Sequence, residues 1–151
     1  MEINRQDAKV RRVLNVNEPT SNEDELARKV IGACISVHRH LGPGYLESIY
    51  ELALEVELQH LEINYERQVP LPLQYRGKCI GEHRLDFMVK SSTAKIIVEL
   101  KEVTELAPIH KAQVISYLRA TNLNLGLLIN FNTRLLKDGL QRVVLSSYFN
   151  S

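Results

Sequence analysis

Residues 84–101 read RLDFMVKSSTAKIIVELK, and this stretch decides the fold. Leu85, Phe87 and Val89 alternate with Asp86 and Met88. Beyond Ser91-Ser92-Thr93-Ala94, Ile96, Val98 and Leu100 alternate with Ile97, Glu99 and Lys101. Side chains on a strand change face at every residue, so alternation with period two marks two strands. The polar stretch between them suits a hairpin loop. A hairpin symmetric about that loop pairs Lys90 with Lys95 and, further back, Asp86 with Glu99. Directly opposed residues hold their Cβ atoms about 4.5–5.5 Å apart. This register sets two carboxylates side by side, with Lys101 on the same face as Glu99.

Like charges opposed on a sheet are destabilising. A hard divalent cation removes the conflict, because Mg²⁺ is held by one or two carboxylates and keeps several waters. Asp86, then Glu99-x-Lys101, therefore has the pattern of a metal site beside a cationic group. The plainer alternative is a solvated strand face with mixed charges, since structural ion pairs leave similar patterns.

Upstream, Thr20-x-x-Glu23 and Asn22-x-x-Glu25 both have the form of a capping box, so a helix begins near Thr20–Asn22. Leu26, Val30, Ile31, Cys34, Val37 and Leu41 recur at helical spacing. His38 and His40 lie near its end, where histidine suits the helix dipole without any ligand role. Gly42-Pro43-Gly44 breaks this helix. A second helix is expected from about Leu46 to Leu61. Gly44-x-x-Glu47-x-x-Tyr50 spans the break and its first turns. Glu47 and Tyr50, three apart, point the same way, and a first-turn glutamate is favoured by the dipole alone. Pro70 and Pro72 mark Ile63–Gln74 as an edge strand.

Downstream, Glu102–Ala107 is a loop and Pro108 suits the first turn of a helix reaching about Thr121. Gln113 and Tyr117 share one face of it, with His110 a turn earlier. Leu125–Phe131 is a nearly continuous apolar run, as in a strand covered on both faces. Lys137-Asp138-Gly139 reads as a turn and Leu140–Leu145 as a last strand. The expected fold is α/β, a mixed sheet with flanking helices. Residues 1–20 read as a polar N-terminal extension with a short helical piece around Asp7–Leu14, and residues 21–151 as a single domain.

Composition excludes more than it assigns. Of 151 residues, 44% are hydrophobic and 25% charged, as in ordinary globular domains. A net charge of +1 and the lack of tryptophan give no general attraction to nucleic acid, so any basic surface must be local. No apolar run is long enough to span a membrane. Cys34 and Cys79 lack zinc-ligand spacing and sit in apolar contexts, so buried free thiols in a cytoplasmic protein are expected.

Four motifs now stand in order: Gly44-x-x-Glu47-x-x-Tyr50, Asp86, Glu99-Leu100-Lys101 and Gln113-x-x-x-Tyr117. Together with the segments HRHLGPGYLESIYE, YERQVPLPLQYRG and GLLINFN, they resemble the GxxExxY family of the PD-(D/E)xK nuclease superfamily, over about Asp24 to Leu145. Leu85 stands where that superfamily's name has proline. The resemblance implies a restriction-endonuclease-like core, α-β-β-β-α-β, and a Mg²⁺ or Mn²⁺ site. Asp86, Glu99, Glu47 and the Leu100 backbone carbonyl would then be metal ligands. Lys101 would act on the attacking water, and Gln113, Tyr117, Tyr50 and His110 would line the site. The implied activity is hydrolysis of nucleic acid, DNA or RNA, with a homo-oligomer or a protein partner for targeting. The alternative is a non-catalytic nucleic-acid- or protein-binding module that keeps the fold.

Overall fold

The computed structural model describes residues 18–145. The helical piece expected at Asp7–Leu14 lies outside the described residues, as do positions 1–17 of the expected extension.

Helix α1 spans Ser21–Leu41 and α2 spans Glu47–His60. Thr20 caps α1. Its hydroxyl accepts from the Glu23 N–H at 3.2 Å, and the Glu23 carboxylate accepts from the Thr20 N–H at 3.4 Å. This is the capping box expected at Thr20. Gly42 ends α1 at φ 69°, where a side chain would be strained, and its N–H donates to the His38 carbonyl at 2.8 Å. The His38 ring meets the Thr133 carbonyl at 2.8 Å, which gives this histidine a structural role.

Strands β1 (Asn64–Tyr75), β2 (Lys78–Lys90) and β3 (Lys95–Lys101) precede helix α3 (Pro108–Thr121). Strand β4 (Leu125–Asn130), a short 3-10 helix (Leu136–Gly139) and β5 (Leu140–Val144) complete the described chain. The sheet runs β1-β2-β3-β4-β5, with β1 at one edge as its two prolines require. Only β3 and β4 are parallel, so the sheet is mixed. The hairpin register is the expected one, with Lys90 opposite Lys95.

Two cores flank the sheet and make three layers. On one face, Leu26, Val30, Cys34, Tyr50 and Leu54 pack against Phe87, Val89, Ile96, Val98 and Leu127. On the other, Val114, Tyr117 and Leu118 pack against Leu85, Ile97, Leu128 and Val143. Cys34 is buried as expected, and burial holds its thiol well above the ordinary range. Cys79 is exposed, because β2 begins on an arm that only β1 accompanies.

One irregularity in the sheet sets the position of Asp86. Leu85 belongs to the α3-side core, whereas Phe87 and Val89, of the same parity, belong to the α1/α2 side. The same exchange occurs on β1 between Tyr65 and Val69. Regular strands keep alternate residues on one face. Here Gln68 adopts φ 53°, and the β1–β2 ladder omits Gln68 and Asp86 while pairing Arg67 with Phe87 and Val69 with Leu85. Both strands change face at Gln68 and Asp86.

Candidate active site

Asp86 stands at that change of face, where the β2–β3 ladder stops. The last paired residues are Phe87 and Val98. Beyond them the side chains take over the main-chain hydrogen bonding. The Asp86 N–H donates to Glu99 Oε1 at 2.8 Å, and the Leu100 N–H donates to Asp86 Oδ2 at 2.8 Å. The two carboxyls are thus locked crosswise, each onto the main chain of the other's strand.

Burial controls their charge. Glu99 is 4% exposed, and its carboxyl is pushed up to about 8, first by desolvation and then by the Asp86 charge. Asp86 is raised too, chiefly by desolvation, against the opposing effect of the Leu100 N–H. Lys101, half-buried two residues beyond Glu99, lowers both. Glu47, in the first turn of α2, is raised by burial and then by Asp86, and lowered by Lys101. Glu47 thus lies within electrostatic reach of Asp86 and Lys101.

Several flanking residues escape a reading of spacing alone. Glu51, one turn beyond Glu47, raises both Asp86 and Glu47. It is held by Gln68 Nε2 at 2.6 Å and Arg67 Nε at 3.3 Å. His83 Nδ1 lies 2.9 Å from the Tyr117 hydroxyl, with the rings edge to face. Burial, followed by the charges of Glu99 and Asp86, pushes the Tyr117 phenol up to about 12, so it stays protonated beside the acids. Asn130 closes the floor. Its amide donates to the Val103 carbonyl at 2.8 Å, and its Oδ1 accepts from the Val103 N–H at 3.1 Å. This fixes the turn after Lys101 against the end of β4.

Tyr50 and His110 bond to main chain. Tyr50 is fully buried, stacked on Phe131 at 4.5 Å. Its hydroxyl donates to the Gly42 carbonyl at 2.5 Å and accepts from the Tyr45 N–H at 3.2 Å. It braces the loop that launches Glu47. Gly44 in that loop adopts φ 109°, which only glycine takes readily. His110 Nδ1 accepts from the Ala107 N–H at 2.9 Å and so caps α3. Gln113 is half-buried one turn before Tyr117.

No group of three or more His, Cys, Asp or Glu side chains arranged to hold a metal ion occurs among the described residues. The Asp86–Glu99 pair instead gathers two carboxyls, with Glu47 and the Arg67-bound Glu51 in its field and Lys101 as the cation beside it. Oxygen donors carrying more negative than positive charge suit a hard divalent ion, which needs only one or two carboxylates. The residues present therefore fit such an ion.

A five-stranded mixed sheet covered by helices on both faces is the architecture of the restriction-endonuclease-like fold. The chain belongs to the PD-(D/E)XK nuclease superfamily, whose family model matches residues 24–143. A solved structure titled "Crystal structure of SSO0001" is similar in fold, with 19% identity and a TM-score of 0.51. The match covers 68% of this chain and 54% of that one, so the chain spans about half the length of that protein. No curated protein matches. No helix of the described residues is long and apolar enough to cross a membrane.

Proposed function

We propose that this chain is a metal-dependent nuclease of the GxxExxY type, hydrolysing phosphodiester bonds of nucleic acid with Mg²⁺ or Mn²⁺. The observation that carries the reading is the crossed Asp86–Glu99 pair with Lys101 beside it. Asp86, Glu99 and the Leu100 carbonyl would hold the ion, with Glu47 as an added carboxylate. Bound there, the ion would supply a water of lowered pKa and a counter-charge for a phosphoryl oxygen.

The chain's own residues do the rest. Lys101 is a fixed positive charge in a partly desolvated place, where it acts more strongly on a developing negative charge than in bulk water. Glu47, raised by burial and by Asp86 and lowered by Lys101, would bring its carboxylate to the same ion from α2. Tyr117 remains a phenol and offers a donor, with His83 holding its hydroxyl. Gln113, one turn before Tyr117 on α3, would line the same side. In this reading residues 1–20 are an extension to a single domain, and the protein works in the cytoplasm. A homo-oligomer or protein partner used for targeting would meet the exposed Leu46 just before α2 and Leu52 and Val56 on it.

The test is Mn²⁺ titration calorimetry on the parent, on the double variant Asp86→Asn, Glu99→Gln and on Lys101→Ala, with labelled DNA and RNA assayed alongside. Binding by the parent and by Lys101→Ala but not by the double variant is expected. Metal-dependent cleavage should occur with the parent alone. Equal Mn²⁺ binding by the double variant would refute the ligand assignment, and undiminished cleavage by Lys101→Ala would remove lysine from the mechanism.

A further inference from the structure

A second feature lies at the same end of the sheet and has no part in the chemistry above. A cleft of about 570 Å³ opens between the last turn of α1, the Gly42–Pro43 loop and the segment after β4. Arg39, Arg134 and Lys137 line it, and no acidic side chain does. All three are exposed, and none enters an ion pair among the described residues. Asp138 follows Lys137 in sequence but is not part of the lining. Leu135, 45% exposed, and Pro43 give the same cleft an apolar wall.

The cleft adjoins the acidic site through two short covalent paths. Asn130 pairs with Lys101 across β4 and β3, and Arg134 follows Asn130 by four residues, a reach of at most about 14 Å. On the other side, Pro43 precedes Glu47 by four residues, in the loop that Tyr50 braces from beneath. The walls are held in place. His38 bonds the Thr133 carbonyl, and the Thr133 hydroxyl donates to the Asn130 carbonyl at 3.4 Å.

We infer that this cleft binds the phosphodiester backbone of the nucleic-acid strand whose scissile bond lies at the Asp86–Glu99 site. The inference rests on the nuclease reading for its choice of ligand. The acidic site itself repels a polyanion, so the strand needs cationic purchase nearby. A net charge of +1 supplies none globally, whereas three cations lining one cleft supply it locally. The apolar wall suits sugar or base contact.

The experiment measures binding of labelled single- and double-stranded oligonucleotides in EDTA, where cleavage is absent, with the full chain. The test variant is Arg39→Ala, Arg134→Ala, Lys137→Ala. The charge control is Arg28→Ala, Lys29→Ala, Lys78→Ala, all away from the cleft. Circular dichroism and melting establish that both remain folded. The cleft variant should lose at least tenfold in affinity. Its salt dependence should flatten by about 0.7–0.9 in log–log slope for each phosphate contact removed. The control should bind nearly as the parent does.

Millimolar inorganic phosphate is the second probe. Phosphate that binds the parent where oligonucleotides do not would identify a free-anion site and overturn the proposal. Equal weakening of cleft variant and control, or no binding by the parent, would overturn it too. Cleavage with Mg²⁺ or Mn²⁺, assayed in parallel, separates the two readings. A parent that cleaves beside a cleft variant that binds and cleaves equally well refutes the cleft alone. Loss of binding in the cleft variant, with a parent that never cleaves, refutes the nuclease reading and leaves the cleft.

Discussion

Replacing Glu99 by glutamine removes a buried acid while keeping an amide oxygen for the Asp86 N–H. In the folded chain the Glu99 carboxyl is pushed from its ordinary 4.5 to about 8 by burial and then by Asp86. Below pH 4.5 both folded and unfolded chains carry this proton, and the group does not bias folding. Between 4.5 and 8 the unfolded chain has released the proton and the folded chain keeps it. Stability therefore falls as pH rises through that window, by at most about 1.4 kcal/mol per pH unit for one group. The whole interval corresponds to about 5 kcal/mol, and sharing of charge with Asp86 reduces this to the order of 2–5 kcal/mol. Urea denaturation in EDTA at pH 5, 6.5 and 8.5 reads the effect. The parent should lose stability across the series, and Glu99→Gln should lose less than half as much. Added Mg²⁺ should recover the parent at pH 8.5 by linkage and leave Glu99→Gln unchanged. An identical pH slope in parent and variant would refute the claim that Glu99 is the strained acid.

Gly139→Ala should be among the most disruptive small substitutions, because its Cβ would lie 2.1 Å from the Asn130 carbonyl oxygen. Backbone must shift there, at a cost of about 3 kcal/mol or more by urea denaturation, and a loss under 1 kcal/mol would contradict that contact. Tyr117→Phe removes the hydroxyl bonded to His83 and should cost about 1 kcal/mol of stability, read by the same assay. An unchanged stability would mean that the His83–Tyr117 bond contributes nothing. Of the two thiols, Cys79 should react readily with a chromogenic disulfide reagent in the native protein, while Cys34 should react only after unfolding. Rapid modification of both would place Cys34 outside the core.

The hairpin was legible because two independent signals agree on one register. Alternation assigns the faces, and the four residues Ser91–Ala94 assign the pairing, so Lys90 opposite Lys95 carries through toward Asp86 and Glu99. The edge position of β1 followed from Pro70 and Pro72, which cannot donate to a ladder. What alternation could not show is the change of face at Gln68 and Asp86. A strict period of two sends His83 and Asp86 to opposite sides of the sheet. The change of face instead brings His83 to Tyr117, whose phenol feels Asp86 and Glu99. Glutamine carries no sequence signal for φ 53°, and the residues that stabilise it are distant. Glu51 was illegible for a similar reason, since on α2 it reads as one more surface glutamate until Gln68 and Arg67 reach it from β1. Cys79 shows the reverse error, an apolar context in sequence on an arm that leaves the core.

The crossed carboxyls also separate two roles that alanine substitution would confuse. Asp86 gives the Leu100 N–H its acceptor at the end of the ladder, and it gives the site its charge. Asp86→Ala removes both, leaving a partly buried N–H unsatisfied at a cost of about 1–3 kcal/mol while relieving repulsion with Glu99. Asp86→Asn keeps an oxygen for Leu100 and removes only the charge. At pH 8.5 without metal, Asp86→Asn should therefore be at least as stable as the parent, with Asp86→Ala below Asp86→Asn by the value of the lost acceptor. Both should fail to bind Mn²⁺. Equal stability of the two variants would show that the Asp86–Leu100 bond does not hold the strand ends together. The charge at this position would then be the whole reason for an aspartate where the sheet changes face.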